Sequence, residues 1–195
     1  KFQQQRVTSY VDTAIAIINA AVPGSTVRVA TYATSHKKVV QAVIKRHKDG
    51  VKFRFIVRDD DYHANKKSLD RLRKLLGTNT SKPSWFKVCK GSCNMSGKKD
   101  NAEQHLKAIV ADQVLTSNGI QSVVLSSSAN LSKAGSSRTW NLSTLYVGKK
   151  KIYEAFAAYM DEMRYDKAPK KRVTSVTEGG VTFYFSPGAP DVAGD

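Results

Sequence analysis

The sequence predicts an α/β fold, a β-sheet with helices packed on it. Two observations carry this: amphipathic helical stretches alternate with short strand-like runs through the first half, and further strand-like runs with one helical stripe continue the pattern afterwards. A third is size. At 195 residues, 41% apolar and 25% charged, the chain has the composition of a globular domain and the length to bury one substantial core.

Val7, Val11, Ala14, Ile18 and Ala21 recur at helical spacing over residues 5 to 21, and Pro23-Gly24 closes that segment. VRVATYA (27 to 33) reads as a strand. The stretch from His36 to Asp49 carries Val39, Val40, Val43 and Ile44 on one helical stripe and meets its stop at Gly50. VKFRFIV (51 to 57) alternates as a strand, and Ser68 to Leu76 places Leu69, Leu72 and Leu76 on one helix face before Gly77. Between them, DDDYH (59 to 63) has the look of a metal cluster beyond a strand end, but consecutive carboxylates face different ways and a solvated loop is expected.

Residues 78 to 104 are rich in Ser, Asn, Gly and Lys and read as one long loop, a feature often tied to function. HLKAIVAD (105 to 112), SVVLSSS (122 to 128) and NLSTLYV (141 to 147) read as three strands, with TSNGIQ a turn between the first two. Ile152, Tyr153, Phe156, Met160 and Met163 form a helical stripe explained by core packing. KAPKKR (167 to 172) reads as an exposed connector, and VTFYFSPG (181 to 188) as a strand followed by a tail.

The charge balance is lopsided: 32 Lys and Arg against 16 Asp and Glu leave +16. Such an excess attracts polyanions, whether nucleic acid, anionic lipid surfaces or teichoic-type polymers. KKK (149 to 151) and KAPKKR add to it, though helix-start and linker positions explain both equally well. No run approaches the ~18 apolar residues of a membrane-spanning helix. The chain opens on Lys1, as expected of a processed or excised form.

Cys89 and Cys93, the only cysteines, stand close enough in VCKGSC for a small disulfide-closed loop, the usual state in secreted proteins; two reduced thiols remain the alternative. A zinc site would need further ligands, and no histidine lies within ten residues of the pair.

His105 and Lys107 stand two apart at the start of an apolar run, so in a strand both point to the same face and form a small basic patch suited to a phosphate oxyanion. Ser128 and Asn130 repeat that spacing at the end of the next strand and can donate neutral hydrogen bonds to phosphate oxygens. Together the four residues form a phosphate cradle plus one reactive imidazole. An edge strand with an idle His and Lys is the plain alternative.

HLKAIVAD fits the HxKxxxxD signature of the phospholipase D superfamily, and SSAN resembles the GSxN element that follows it. The resemblance covers most of the chain and implies a mixed β-sheet flanked by helices on both faces, a phospholipase D or nuclease-like half. Ser127 replaces the first Gly of GSxN, and more residues than usual separate Asp112 from it. The resemblance assigns His105, Lys107 and Asn130 to catalysis, with Lys107, Ser128 and Asn130 on the phosphoryl oxygens. Asp112 takes a structural role, and Asn141 in TWNLS is the position expected to orient the histidine and contact substrate. Trp140, with Trp85 and Phe86, is expected to wall the mouth of the site and stack bases or contact lipid.

Members of the superfamily cleave phosphodiesters through a phosphohistidine, using two such motifs face to face and neither metal nor cofactor. His36, His47 and His63 lack a lysine two residues on, so the second motif is expected from a homodimer mate or a separate half. VTFYFSPG resembles the strand that opens each half of bilobal members, which divides the chain into a domain at 1–178 and a strand and tail at 179–195 that open an absent half. Cys89 and Cys93 before the motif resemble secreted bacterial members. Three functions follow: a secreted phosphodiesterase acting on phospholipid, a nuclease of the same superfamily, or a polyanion-binding module without catalysis. Charge favours nucleic acid; the cysteine spacing and the chain's ending tip the expectation narrowly to phospholipid, with peripheral contact to anionic surfaces.

Overall fold

Six strands build the centre of the molecule, in a computed structural model that describes residues 9–93, 103–132, 141–167 and 173–186. The elements run α1 (Tyr10–Ala20), β1 (Thr26–Thr31), α2 (Lys37–Lys48), β2 (Lys52–Arg58), α3 (Asp59–Ala64), α4 (Lys66–Leu76), β3 (Trp85–Cys89), β4 (Ala108–Thr116), β5 (Gly119–Ser127), β6 (Ser143–Val147), α5 (Lys150–Glu162), β7 (Ser175–Glu178) and β8 (Val181–Tyr184). The sheet order is β3-β2-β1-β4-β5-β6. β1, β2 and β3 are parallel, while β4, β5 and β6 run antiparallel to their neighbours.

Alternation along the central strands sends side chains to two separate cores. Val27 and Val29 of β1, Phe53, Phe55 and Val57 of β2, and Ile109 of β4 face α1, α2 and α4, where Ile18, Val43 and Leu72 close the layer. Ala30, Ile56, Val110 and Val124 face the other way, against Ile152, Phe156 and Met160 of α5. Near-continuous burial of β1 and β2 is the mark of strands covered on both faces. The result is a mixed sheet flanked by helices on both faces, as the sequence resemblance implies.

A charged clamp fixes α5 to its face. Arg28 of β1 donates to Asp161 through Nε at 2.9 Å and Nη2 at 2.8 Å, and Arg54, its register partner on β2, reaches the same carboxylate at 2.6 Å. Burial pushes the Asp161 carboxyl up, but the hydrogen bonds and charges of Arg28 and Arg54 outweigh it and hold it below the usual range.

Two expectations about the middle of the chain are corrected. The 78–104 stretch holds a sheet strand: WFKVC forms β3, paired in parallel with β2, because its apolar residues complete both cores at the sheet edge. DDDYH is the short helix α3 rather than a solvated loop, and Asp61 is buried. Its three carboxylates diverge: Asp59 pairs with His63, Asp60 with Arg58, and Asp61 accepts the Thr34 N–H at 2.8 Å and the Asn65 amide at 2.7 Å.

At the end of the described chain, β7 and β8 pair as an antiparallel hairpin lying on α5, with Phe183 and Phe185 each edge-on to Phe156 at 5.0 Å. Residues 178 and 179, where the sequence reading places its division, lie at the turn of this hairpin. KAPKKR lies outside the described residues except for Lys167. Among the described residues no helix is long and apolar enough to cross a membrane.

Candidate active site

The carboxyl ends of β1 and β2, the lead into β4 and the exit from β5 all lie at one edge of the sheet, the edge where open α/β sheets place their ligands. The register enforces this. Ala30 pairs with Ala108 and Ala108 with Ser126, so Tyr32, the His105–Lys107 segment and Ser127–Asn130 emerge side by side. Thr34 bridges to Leu131, and the Leu131 carbonyl accepts the N–H groups of Ser35 and His36, both at 3.2 Å, stitching the two exits together.

β4 begins at Ala108, so His105 and Lys107 stand on a lead-in rather than in the strand itself. They nevertheless reach one aromatic ring. The His105 imidazole meets the Tyr32 ring edge-on at 4.8 Å, and the Lys107 ammonium lies 5.0 Å from the centre of that ring. Lys107 is buried and donates to the His105 carbonyl at 2.8 Å, which ties the two residues together through the backbone.

Burial lowers the Lys107 pKa to about 8. Partial burial also lowers the His105 pKa from its ordinary value; the Lys107 and Arg58 charges push the same way and Glu103 opposes them. At neutral pH the histidine is therefore mainly the free base and the lysine mainly the cation, the pairing required of a nucleophile beside an anion clamp.

Ser128 and Asn141 meet across the β5–β6 entry: the Ser128 hydroxyl donates to the Asn141 side-chain oxygen at 3.2 Å and accepts the Leu142 N–H at 3.0 Å. The Asn130 side-chain oxygen is buried without a hydrogen-bond partner among the described residues, an arrangement proteins rarely leave without a ligand or a water. Asp112 lies at the far end of the sheet, where its carboxylate accepts the Thr26 N–H at 2.7 Å and caps the start of β1. Trp140 lies outside the described residues.

Trp85 and Phe86 do not wall the site: both are buried in the cores, Phe86 stacked on Phe55 at 5.6 Å. Cys89 and Cys93 form a disulfide at the site edge of the sheet, with Cα atoms 5.1 Å apart and both side chains buried. A disulfide fits an oxidising compartment.

Sequence reasoning missed three residues. Tyr32 follows β1, Arg58 ends β2, and Glu103 stands two residues before His105. The Arg58 guanidinium sits 4.1 Å over the Tyr32 ring, donates to its hydroxyl, and pairs with Glu103 at 2.6 Å. For Tyr32 and Arg58 the position at the carboxyl ends of parallel strands was the available signal; Glu103, on the lead into β4, carried none.

A cleft of about 470 Å³ opens beside His105, floored by α5 and walled by the β8 arm of the hairpin.

A six-stranded mixed sheet thus gathers an imidazole, an ammonium group and a buried side-chain amide at its ligand edge. The chain belongs to the phospholipase D-like family of phosphodiesterases: the family model described as cardiolipin synthase, PLD-like domain, matches residues 14–164. Among solved structures it is similar to NucT from Helicobacter pylori, at 21% identity and a TM-score of 0.60 over 80% of this chain and 88% of that one. It is also similar to Nuc from Salmonella typhimurium, a phospholipase D family member, at 16% identity and a TM-score of 0.56 over 82% and 89% of the two chains. Polyphosphate kinase from Porphyromonas gingivalis shares the fold at 17% identity and a TM-score of 0.56, over 84% of this chain and 26% of that enzyme. No curated protein sequence matches the chain.

Proposed function

We propose that this chain supplies one half of a phospholipase D-type centre that cleaves phosphodiesters of nucleic acid. The observation that carries the reading is the cluster of His105, Lys107 and Arg58 around the Tyr32 ring, a cationic edge on a chain of net charge +16. The family relationship supports phosphodiester chemistry, and the fold shared with two chains named Nuc and NucT agrees with it.

In this mechanism the free-base imidazole of His105 attacks phosphorus and the P–O bond to the leaving group breaks, giving a phosphohistidine. The leaving oxygen takes a proton from the histidine of a second, facing motif. That second histidine then takes a proton from water, whose oxygen displaces His105 from phosphorus. Lys107, the Asn130 amide and the Ser128 hydroxyl, which turns from Asn141 to donate, hold the phosphoryl oxygens as negative charge grows at the five-coordinate centre. Lys107 fills the place of a divalent cation, so no cofactor is required. Asn141 acts through Ser128. The second motif comes from a second copy of this chain or from a separate half.

Phospholipid is the second reading. The Cys89–Cys93 disulfide suits a secreted enzyme, and secretion is part of this proposal. Assays of the parent and a His105→Ala variant on plasmid DNA, an oligonucleotide, choline phospholipid and bis-p-nitrophenyl phosphate test it. Turnover of DNA and of the small diester that disappears in the variant is the expected result. Turnover confined to phospholipid would transfer the assignment to the second reading, and equal rates in variant and parent would remove His105 from the chemistry.

A further inference from the structure

The cleft beside His105 is not explained by the motif residues. Its rim carries His105 and Glu103 from the lead into β4, and its walls carry Ser126 of β5, Tyr159 of α5, and Phe183 and Tyr184 of β8. It is continuous with the reacting centre because His105 belongs to both, and its volume of about 470 Å³ lies in the range that holds a small organic ligand. We propose that this cleft is a nucleobase subsite, which takes an unstacked base of the strand whose phosphate lies at His105. The proposal rests on the phosphodiesterase reading above and deepens it.

Three observations choose a base over an acyl chain. The walls are aromatic: Phe183 is edge-on to both Phe156 and Tyr146, which fixes the hairpin against α5 and β6, while the neighbouring Tyr184 ring stays 83% exposed. A rigidly mounted hairpin carrying an exposed ring is a stacking platform, and every base has a face to lay on it. The cleft also mixes polar residues with the rings, namely Ser126, Ser186 and Glu103. An acyl chain would take Ser126 and Ser186 out of water and give them nothing to bond, whereas the edge of a base offers donors and acceptors to meet them. Lastly, a chain of net charge +16 gathers polyanions, and the Arg58–Glu103 pair at 2.6 Å neutralises the rim carboxylate that would otherwise repel a phosphate.

The test compares oligothymidylate with an abasic phosphodiester oligomer of equal length, which carries the same charge and no bases. Binding is read by fluorescence anisotropy in a His105→Ala background, so it does not depend on turnover. Tyr184→Ala, a change at an exposed position whose folding is checked by thermal melting, is expected to weaken oligothymidylate about fivefold or more. It leaves the abasic oligomer unchanged, and Tyr184→Trp restores the loss. Equal weakening of both oligomers, or of neither, would overturn the subsite. Tyr184-dependent binding of phosphatidylcholine vesicles without any such effect on oligothymidylate would assign the cleft to an acyl chain instead. A protein that turns over no phosphodiester either alone or combined with a half supplying the second motif defeats the phosphodiesterase reading, whereas the two binding measurements stand apart from catalysis.

Discussion

The ring of Tyr32 stands edge-on to the imidazole of His105, 4.8 Å between centres and 71° between planes. That contact joins β1 to the lead into β4, two segments distant in sequence that the antiparallel β1–β4 pairing brings together. An edge-on ring contact is worth about 1 kcal/mol. Its larger effect is directional, since it limits how the imidazole turns toward a bound phosphorus.

On the proposed reading Tyr32 is therefore expected to act as a positioning residue. Tyr32→Phe keeps the ring and loses the hydroxyl that accepts from Arg58, so kcat is expected to stay within about threefold of the parent. Tyr32→Ala frees the imidazole and lowers kcat by about tenfold or more with KM little changed. Steady-state kinetics on the small diester measure both. A fall in kcat that is no smaller in the Phe variant than in the Ala variant would show that the hydroxyl, and not the ring, matters.

On the proposed reading, binding of a phosphodiester is expected to depend on the charge of Lys107, whose pKa burial lowers to about 8. The sign follows from the group: a depressed lysine is cationic below its pKa and neutral above it. Affinity of the His105→Ala protein for an oligonucleotide is thus expected to be level near neutral pH and to fall as pH rises through 8. Lys107→Arg, which stays charged, removes that fall. An unchanged pH profile in the arginine variant would place the titration elsewhere.

Asp161 is the hub of the clamp that holds α5 to the sheet, with the Arg28 side chain only 9% exposed. Asp161→Asn leaves two guanidinium groups without their counter-charge and is expected to cost about 3 kcal/mol of stability, measured by urea denaturation. Because the folded-state pKa of this carboxyl lies below its ordinary value of 3.8, its stabilisation is complete above that value and is lost as pH falls through the lowered one. The variant is accordingly expected to show a weaker acid-side loss of stability than the parent.

The disulfide closes a loop with a sequence separation of only 4, so it restrains the unfolded chain little. Replacing both Cys89 and Cys93 with Ser is expected to cost about 2 kcal/mol from chain entropy, with a further loss for placing hydroxyls where both sulfurs are buried. Differential scanning calorimetry reads the fall in Tm. An intact mass of unreduced protein showing two free thiols would contradict the bridge and the secretion proposed from it.

Much of this molecule was legible before folding was considered. Helical stripes such as Leu69, Leu72 and Leu76 and alternation such as that of VKFRFIV declare their elements, because a side chain's face follows from backbone geometry alone. The His105, Lys107, Ser128 and Asn130 spacings carried the family resemblance. β3 was hidden because WFKVC is short and set among Ser, Gly and Lys, and only the vacancy at the β2 edge makes it a strand. DDDYH was hidden because its burial depends on Thr34, 27 residues earlier in the chain, presenting an N–H to Asp61.

By itself, then, the sequence determined the α/β class, the basic character and the family resemblance, since these depend on composition, on short-range periodicity and on a short motif. Tertiary structure alone decided that Tyr32, Arg58 and Glu103 surround the histidine, that Trp85 and Phe86 belong to the cores, and that a hairpin rather than Trp85 builds a wall beside His105. Those facts depend on which strands pair and in what register, a choice made by burying two apolar faces at once, and no local stretch of residues encodes it.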